Sequence, residues 1–296
     1  MKPSATDVLR RGFHLVVANW PLIAIRIAES ILLLMIVVGA VIAAIVPIAI
    51  SAGLGNLNDV TSAASAIIAH WLLIVYALIV VSVLLVILVA IHAFVDGGVA
   101  QIYIDSERNG TQPSFNMDRM LTGGRSAWWA IFWIYNIVWS IAGIILLVPL
   151  IATLVGAVAV SDNTGRIVIA CAGLAITILV LLPIAIIAAI WTQKAIAVCV
   201  ARNASATEAM RIARDDIRTD LARHFVVAFI VLVVSIGGAG LISVVSMPLS
   251  LMSQHQPLMV AVTAPMQIVV SFAQTIFSAA TGAWLLASFV ALTEEQ

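Results

Sequence analysis

Charge is scarce in this sequence. Of its 296 residues only 9% are Asp, Glu, Lys or Arg, while 63% are hydrophobic. Soluble domains carry about 25% charged residues, so this composition cannot furnish a water-facing surface of ordinary kind. Acidic and basic residues number 14 each, for a formal net charge of 0, and no basic field points to nucleic acid as a partner. Cysteine is nearly absent. Cys171 and Cys199 fall on one expected helix, about 42 Å apart, which excludes a disulfide between them and makes burial their expected role.

Motifs of chemistry are missing as well. There is no Gly-rich phosphate loop, no His/Glu zinc motif and no nucleophile elbow. The polar segments Asp96–Ala127 and Thr192–His224 are each about thirty residues long, too short for a folded catalytic domain. His14, His70, His92, His224 and His255 are scattered, four of them at expected membrane boundaries. No catalytic residue, metal site or cofactor is expected.

Long apolar runs are abundant. They cover Ile31–Ile50, Trp71–Phe94, Trp128–Leu150, Ile167–Trp191, Phe225–Met247 and Met266–Leu292. Each is long enough to cross a hydrocarbon core of about 30 Å as a helix. A bilayer requires backbone polar groups to be satisfied within the segment, and the alternation of a β-barrel is absent. The expected fold class is an all-α integral membrane protein, one membrane domain over residues 1–296. The apolar run after Lys2, Arg10 and Arg11 is too long for a signal-peptide core and lacks a clean cleavage site, so the first span is expected to persist.

Thirteen of the 14 Lys and Arg residues fall on one side of the six spans, and Arg166 alone falls on the other. The positive-inside rule predicts both termini in the cytoplasm and, for a bacterial protein, a multi-pass location in the cytoplasmic (inner) membrane.

Three charged segments precede outward spans. Thr6–Trp20 places Leu9, Phe13, Val16 and Trp20 on one helical face. Ser114–Trp128 does so with Met117, Leu121 and Trp128, although Gly123 and Gly124 weaken the pattern. In Asn203–Phe225 the stripe is Met210, Ile217, Leu221 and Phe225, with Ser205 and Glu208 fitting a capping box. Each is expected to lie at the cytoplasmic interface as an amphipathic helix, basic residues toward headgroups. The following spans carry Pro47, Pro149 and Pro248, spaced 102 and 99 residues apart. A threefold repeat with units 1–110, 111–203 and 204–296 follows, each an interfacial helix plus a transmembrane hairpin. Simple alternation of six spans is the other reading of the same pattern. Mitochondrial carriers share the unit count, but apolar or small residues follow all three prolines here where those carriers place an acidic and then a basic one.

Two stretches carry a resemblance. GGVAQIYIDSERNG (Gly97–Gly110) is a span exit ending in a polar stop, and ASATEAMRIARDDIRTDLARHF (Ala204–Phe225) is a small-polar cap leading an Ala/Arg helix into a span. Together with the six-span alternation, the chain resembles a group of uncharacterised bacterial inner-membrane proteins that includes the membrane domain attached to some glycerophosphodiester phosphodiesterases. The resemblance implies a membrane module without activity of its own, because the soluble barrel with its His and Glu residues is missing.

Candidate site residues are few. Arg26 and Glu29 stand at i and i+3 and can pair on one helix. They are expected at the inner boundary with Arg26 snorkelling to headgroups; a buried functional pair is the alternative. Asp96 and Lys194, at the inner ends of their spans, can join them in an inner-leaflet charge cluster lining a cytoplasm-facing vestibule. Asn136, Gln267 and Gln274 need partners inside the membrane, most simply across helices. Gly39/Ala43, Ser278/Gly282 and the run IGGAG at 236–240 invite close helix approach. Pro47, Pro149 and Pro183 can kink helices.

The expected function is non-enzymatic: an inner-membrane protein serving envelope or lipid homeostasis through a partner. Membrane lipids, a protein partner or a second copy of the chain are the expected associates. The alternative is a transporter or lipid-handling protein for a small or apolar substrate.

Overall fold

The computed structural model describes residues 3–51, 71–110, 112–160, 162–255 and 260–295. Lys2, His70, the expected outer loop 52–70 and part of Leu249–Pro265 therefore lie outside the described residues. Among the described residues there are eight α-helices and no strand. They are α1 (Ala5–Ala18), α2 (Pro21–Ser51), α3 (Trp71–Arg108), α4 (Met117–Ala159), α5 (Asn163–Arg202), α6 (Ala206–Thr219), α7 (Leu221–His255) and α8 (Val260–Glu294). Six of them are long and apolar enough to cross a membrane. The chain is a multi-pass membrane protein of all-α class.

Local sequence sets the helix starts. Ser4 caps α1 by accepting from Asp7 N, and the Asp7 carboxylate returns to Ser4 N at 3.0 Å, a complete capping box. Asn116 caps α4 through Asp118 N and Arg119 N. Ser205 caps α6 through Glu208 N. Asn203, at φ 49°, turns the chain from α5 into α6 in the left-handed region that Asn tolerates better than most residues.

The helices outrun the expected spans. The longest, α4, has 43 residues, about 65 Å and twice the hydrocarbon thickness. The surplus length packs at one end of the larger compact unit, residues 1–23 with 93–296. There the core is built from Leu15, Tyr103, Ile131, Ile196, Leu286 and Phe289. The other ends carry exposed apolar side chains such as Leu154, Val158, Leu179 and Leu241, the surface that a bilayer rather than water would cover. Within this unit α4 packs on α5 and α7 on α8, while α8 also touches α1 and α5. The smaller unit, residues 24–92, joins most of α2 to the first part of α3.

Several expectations are corrected. No separate helix covers Ser114–Trp128; the chain enters α4 at Met117 and runs on without a break. Gly123 and Gly124, which weaken the amphipathic pattern, are the place where α4 meets α3. A Cβ at Gly123 would stand 2.5 Å from Gln101 Cβ, and one at Gly124 would stand 2.7 Å from the Phe94 carbonyl oxygen. The third stripe is cut at Asp220, so Leu221 and Phe225 begin α7 and are exposed, and α6 instead buries Ala209, Met210 and Ala213. On α1 the buried face is Val8, Leu9, Gly12, Leu15 and Val16, with Phe13 and Trp20 left exposed. Cys199 is buried as expected, but Cys171 is exposed on the apolar stretch of α5. At Gly39 and Gly282 nothing among the described residues lies within 4 Å of an added Cβ, whereas Gly238 meets the Phe277 ring.

Candidate functional site

In the smaller unit one turn of α2 presents Arg26 and Glu29 together. Arg26 Nη1 donates to Glu29 Oε2 at 3.0 Å. The second carboxylate oxygen, Oε1, lies 2.6 Å from His92 Nδ1 on α3. Glu29 thus holds a cation donor on one oxygen and an imidazole on the other, with Arg26 9% and Glu29 6% exposed. The expected pairing of the two is present, the carboxylate being within reach one turn away. His92, read from sequence only as a boundary residue, is the third member of this group.

The larger unit holds Asp96 and Lys194, each with partners of its own. The Tyr135 hydroxyl of α4 donates to Asp96 Oδ2. Lys194 is fully buried. Its ammonium lies 3.3 Å from Asp216 Oδ2 on α6, and it donates to Thr293 Oγ1 at 3.1 Å and to the Leu292 carbonyl at 3.5 Å on α8. One lysine therefore ties α5, α6 and α8 together, and being enclosed it does not line an open vestibule. Beside it His224 is 2% exposed, donates Nδ1–H to the Asp220 carbonyl at 2.8 Å and packs against Phe289.

Charge continues along the helix ends. Arg108 of α3 grips Glu294 with two hydrogen bonds of 2.8 and 2.9 Å and reaches the Ala201 carbonyl. Arg11 pairs with Glu107 at 3.1 Å and with Glu295. Arg223 meets Glu295 at 2.6 Å. Asn19, wholly buried at the end of α1, donates to Ser106 Oγ at 3.1 Å and accepts from Ser114 N at 2.9 Å. These bonds satisfy part of the polar groups that the overlong helices bring into a packed interior, while Arg11 Nε, Glu107 Oε2, Arg223 Nε and His224 Nε2 have no hydrogen-bond partner among the described residues.

The three intramembrane amides sit in different surroundings. Asn136 donates within its own helix, to the Phe132 carbonyl at 2.8 Å. Gln274 is exposed and Gln267 half-buried. Sequence reading missed Asp216, Tyr135, Thr293, Glu294 and Glu295. Two signals bore on them: Asp216 lies on the inner side of the Ala209/Ala213 face, and the C-terminal carboxylates match the surplus of arginine at the same end.

Two clefts open beside the short helices. The first, about 450 Å³, lies among α1, the start of α2, α7 and α8 and is lined by Phe13, Val16, Val17, Trp20, Ile23, Val234, Phe277, Ala280, Thr281 and Trp284. The second, about 230 Å³, lies among α5, α6 and α7 and is lined by Ile187, Ile190, Trp191, Arg214, Ile217, Arg218, Leu221 and Phe225. A tryptophan anchors each: Trp284 Nε1 donates to the Leu9 carbonyl at 2.9 Å, and Trp191 Nε1 to the Met210 carbonyl at 3.0 Å.

No family model, curated protein or solved structure matches the chain.

Proposed function

We propose that this chain is a non-enzymatic protein of the bacterial inner membrane that serves envelope or lipid homeostasis by holding lipid in clefts between its helices. The observation that carries the reading is the cleft of about 450 Å³ beside α1. Its volume falls within the range of small-molecule sites. Its lining is apolar apart from Thr281 and the edge of the Trp284 indole, the chemistry of an acyl chain. Phe13 and Trp20 are more than half exposed there, as aromatic rings are at a membrane–water interface.

Topology supports the same picture. With the thirteen basic residues inside, both termini, the packed polar end and the short helices α1 and α6 lie on the cytoplasmic side, α1 and α6 as interfacial amphipathic helices. A repeat is supported by the two anchors. Counted from the N-caps Ser4 and Ser205, Leu9 and Met210 hold the same fifth place. Each gives its carbonyl to the tryptophan of the preceding inward span, or of the last span for α1. Asn116 supplies the third cap at the start of α4.

Native mass spectrometry of the protein extracted gently with its own lipids tests the reading. Stoichiometric lipid is expected on the wild type, reduced several-fold by Ala280→Trp, which fills the cleft. A wild type that retains no lipid, or a filled variant that retains as much, overturns it. A co-purifying protein without retained lipid would favour instead a scaffold that acts through its partner.

A further inference from the structure

The two clefts occupy the same place in the chain's pattern. Counted from Ser4 and Ser205, Phe13 and Arg214 hold the ninth place, Val16 and Ile217 the twelfth, Val17 and Arg218 the thirteenth, and Trp20 and Leu221 the sixteenth. The opposite walls match too, with Ala280 and Trp284 of one corresponding to Ile187 and Trp191 of the other. What differs is the chemistry at two places. Where the first cleft carries Phe13 and Val17, the second carries two arginines.

We infer that the cleft between α5, α6 and α7 is a binding site for an anionic phospholipid, its phosphate held by Arg214 and Arg218 and its acyl chain laid along Ile187, Trp191, Leu221 and Phe225. Charge complementarity and position argue for this occupant. Arg214 and Arg218 are one turn apart on α6 and so present two guanidinium groups to one phosphate. Arg211, exposed on the same flank, extends the basic edge. Arg218 makes no ion pair or hydrogen bond among the described residues, and Arg214 meets only its exposed neighbour Asp215, at 3.3 Å. An exposed pair of that kind holds weakly and yields to a phosphate. The apolar floor belongs to α5 and α7, two helices able to cross the membrane, so it continues into the hydrocarbon. A volume of about 230 Å³ is below that of pockets which enclose a ligand whole, and suits a groove that takes part of a chain.

The inference rests on the lipid-holding reading and adds headgroup selection to it. The test places the full chain in nanodiscs containing phosphatidylcholine and phosphatidylglycerol in equal amounts and counts the lipids retained after release into the gas phase. The wild type is expected to favour phosphatidylglycerol by about tenfold, the scale of two arginines near a headgroup. Arg214→Phe with Arg218→Val, which copies the first cleft, should lose that preference while keeping total lipid. The charge-matched control Arg10→Gln with Arg202→Gln should keep it. Phe13→Arg with Val17→Arg should add a second anionic lipid, a gain that misfolding cannot mimic. Equal loss in the control, an unchanged swap variant, or displacement of the lipid by millimolar inorganic phosphate overturns the site. Retention of lipid without headgroup preference overturns this inference alone, whereas retention of no lipid overturns the reading beneath it.

Discussion

Lys194 and Asp216 face one another across 3.3 Å, the lysine side chain wholly buried and the aspartate 19% exposed. They join a long apolar helix, α5, to the most polar helix of the chain, α6. A buried ammonium is tolerated only with partners, and Thr293 and the Leu292 carbonyl complete its set. Asp216→Asn leaves the charge in place without its counter-ion and is expected to cost about 3 kcal/mol or more. Lys194→Met keeps the apolar stem, and the aspartate it strands can reach water, so the expected loss is smaller. The double variant should recover part of the Asp216→Asn loss. Thermal unfolding in one detergent, run as a double-mutant cycle, checks the order.

The glycines separate into two kinds. At Gly98 a Cβ would stand 2.5 Å from the Met120 carbonyl oxygen, and at Gly124 2.7 Å from that of Phe94. Backbone cannot swing aside as a side chain can, so alanine at either place must push α3 and α4 apart, at about 1–3 kcal/mol. Gly39 and Gly282 face open space among the described residues. Alanine there is expected to be neutral or to stabilise by about 0.5–1 kcal/mol through helix propensity. Midpoint temperatures of the four single variants decide it, and a loss at Gly39 comparable to that at Gly98 would refute the distinction.

This contrast also marks how far sequence could see. Apolar runs longer than a bilayer is thick leave few alternatives to spanning helices, so the number and approximate place of the spans were legible. The spacing of small residues was visible too, but which glycine faces a neighbour depends on helix rotation and crossing, and these are set by contacts between distant segments. Gly124 only weakened the helical pattern in sequence, because the carbonyl of Phe94 that it accommodates lies thirty residues earlier in the chain. Arg26 and Glu29 were legible as a pair because they are one turn apart. Arg108 with Glu294, and Lys194 with Asp216, were not, since charge alone does not choose among partners that far removed in sequence.

Asp7 supplies a pH dependence that can be read locally. Its carboxylate accepts from Ser4 Oγ at 2.7 Å and from Ser4 N at 3.0 Å. These bonds hold its pKa below the ordinary carboxylate value. A depressed folded pKa contributes stability that is present above the unfolded value and is lost as pH falls through the folded one, here below about pH 4. Amide protection at the start of α1, taken as the exchange rate relative to that of an unstructured chain at the same pH, is therefore expected to fall below that pH in the wild type. Ser4→Ala should lower that protection at neutral pH and flatten the acid-side change. An acid-side change as steep in Ser4→Ala as in the wild type would show that the capping box is not its source.

In the smaller unit Glu29 engages a partner with each of its two carboxylate oxygens. Each carboxylate oxygen has its own donor, Arg26 at 3.0 Å and His92 at 2.6 Å. An amide in its place keeps one acceptor oxygen and turns a nitrogen, itself a donor, toward the other partner. Glu29→Gln is therefore expected to lose one charge-assisted bond outright and weaken the other, a cost on the order of 2–3 kcal/mol. His92→Gln can still donate to the carboxylate and should cost less. Glu29→Asp keeps the charge but shortens the reach by one methylene, so it should fall between them. Unfolding midpoints of the three variants, taken in the same detergent, give the ranking directly. If His92→Gln proves as damaging as Glu29→Gln, the imidazole rather than the carboxylate is the centre of the group, and the ion pair with Arg26 carries little of its stability.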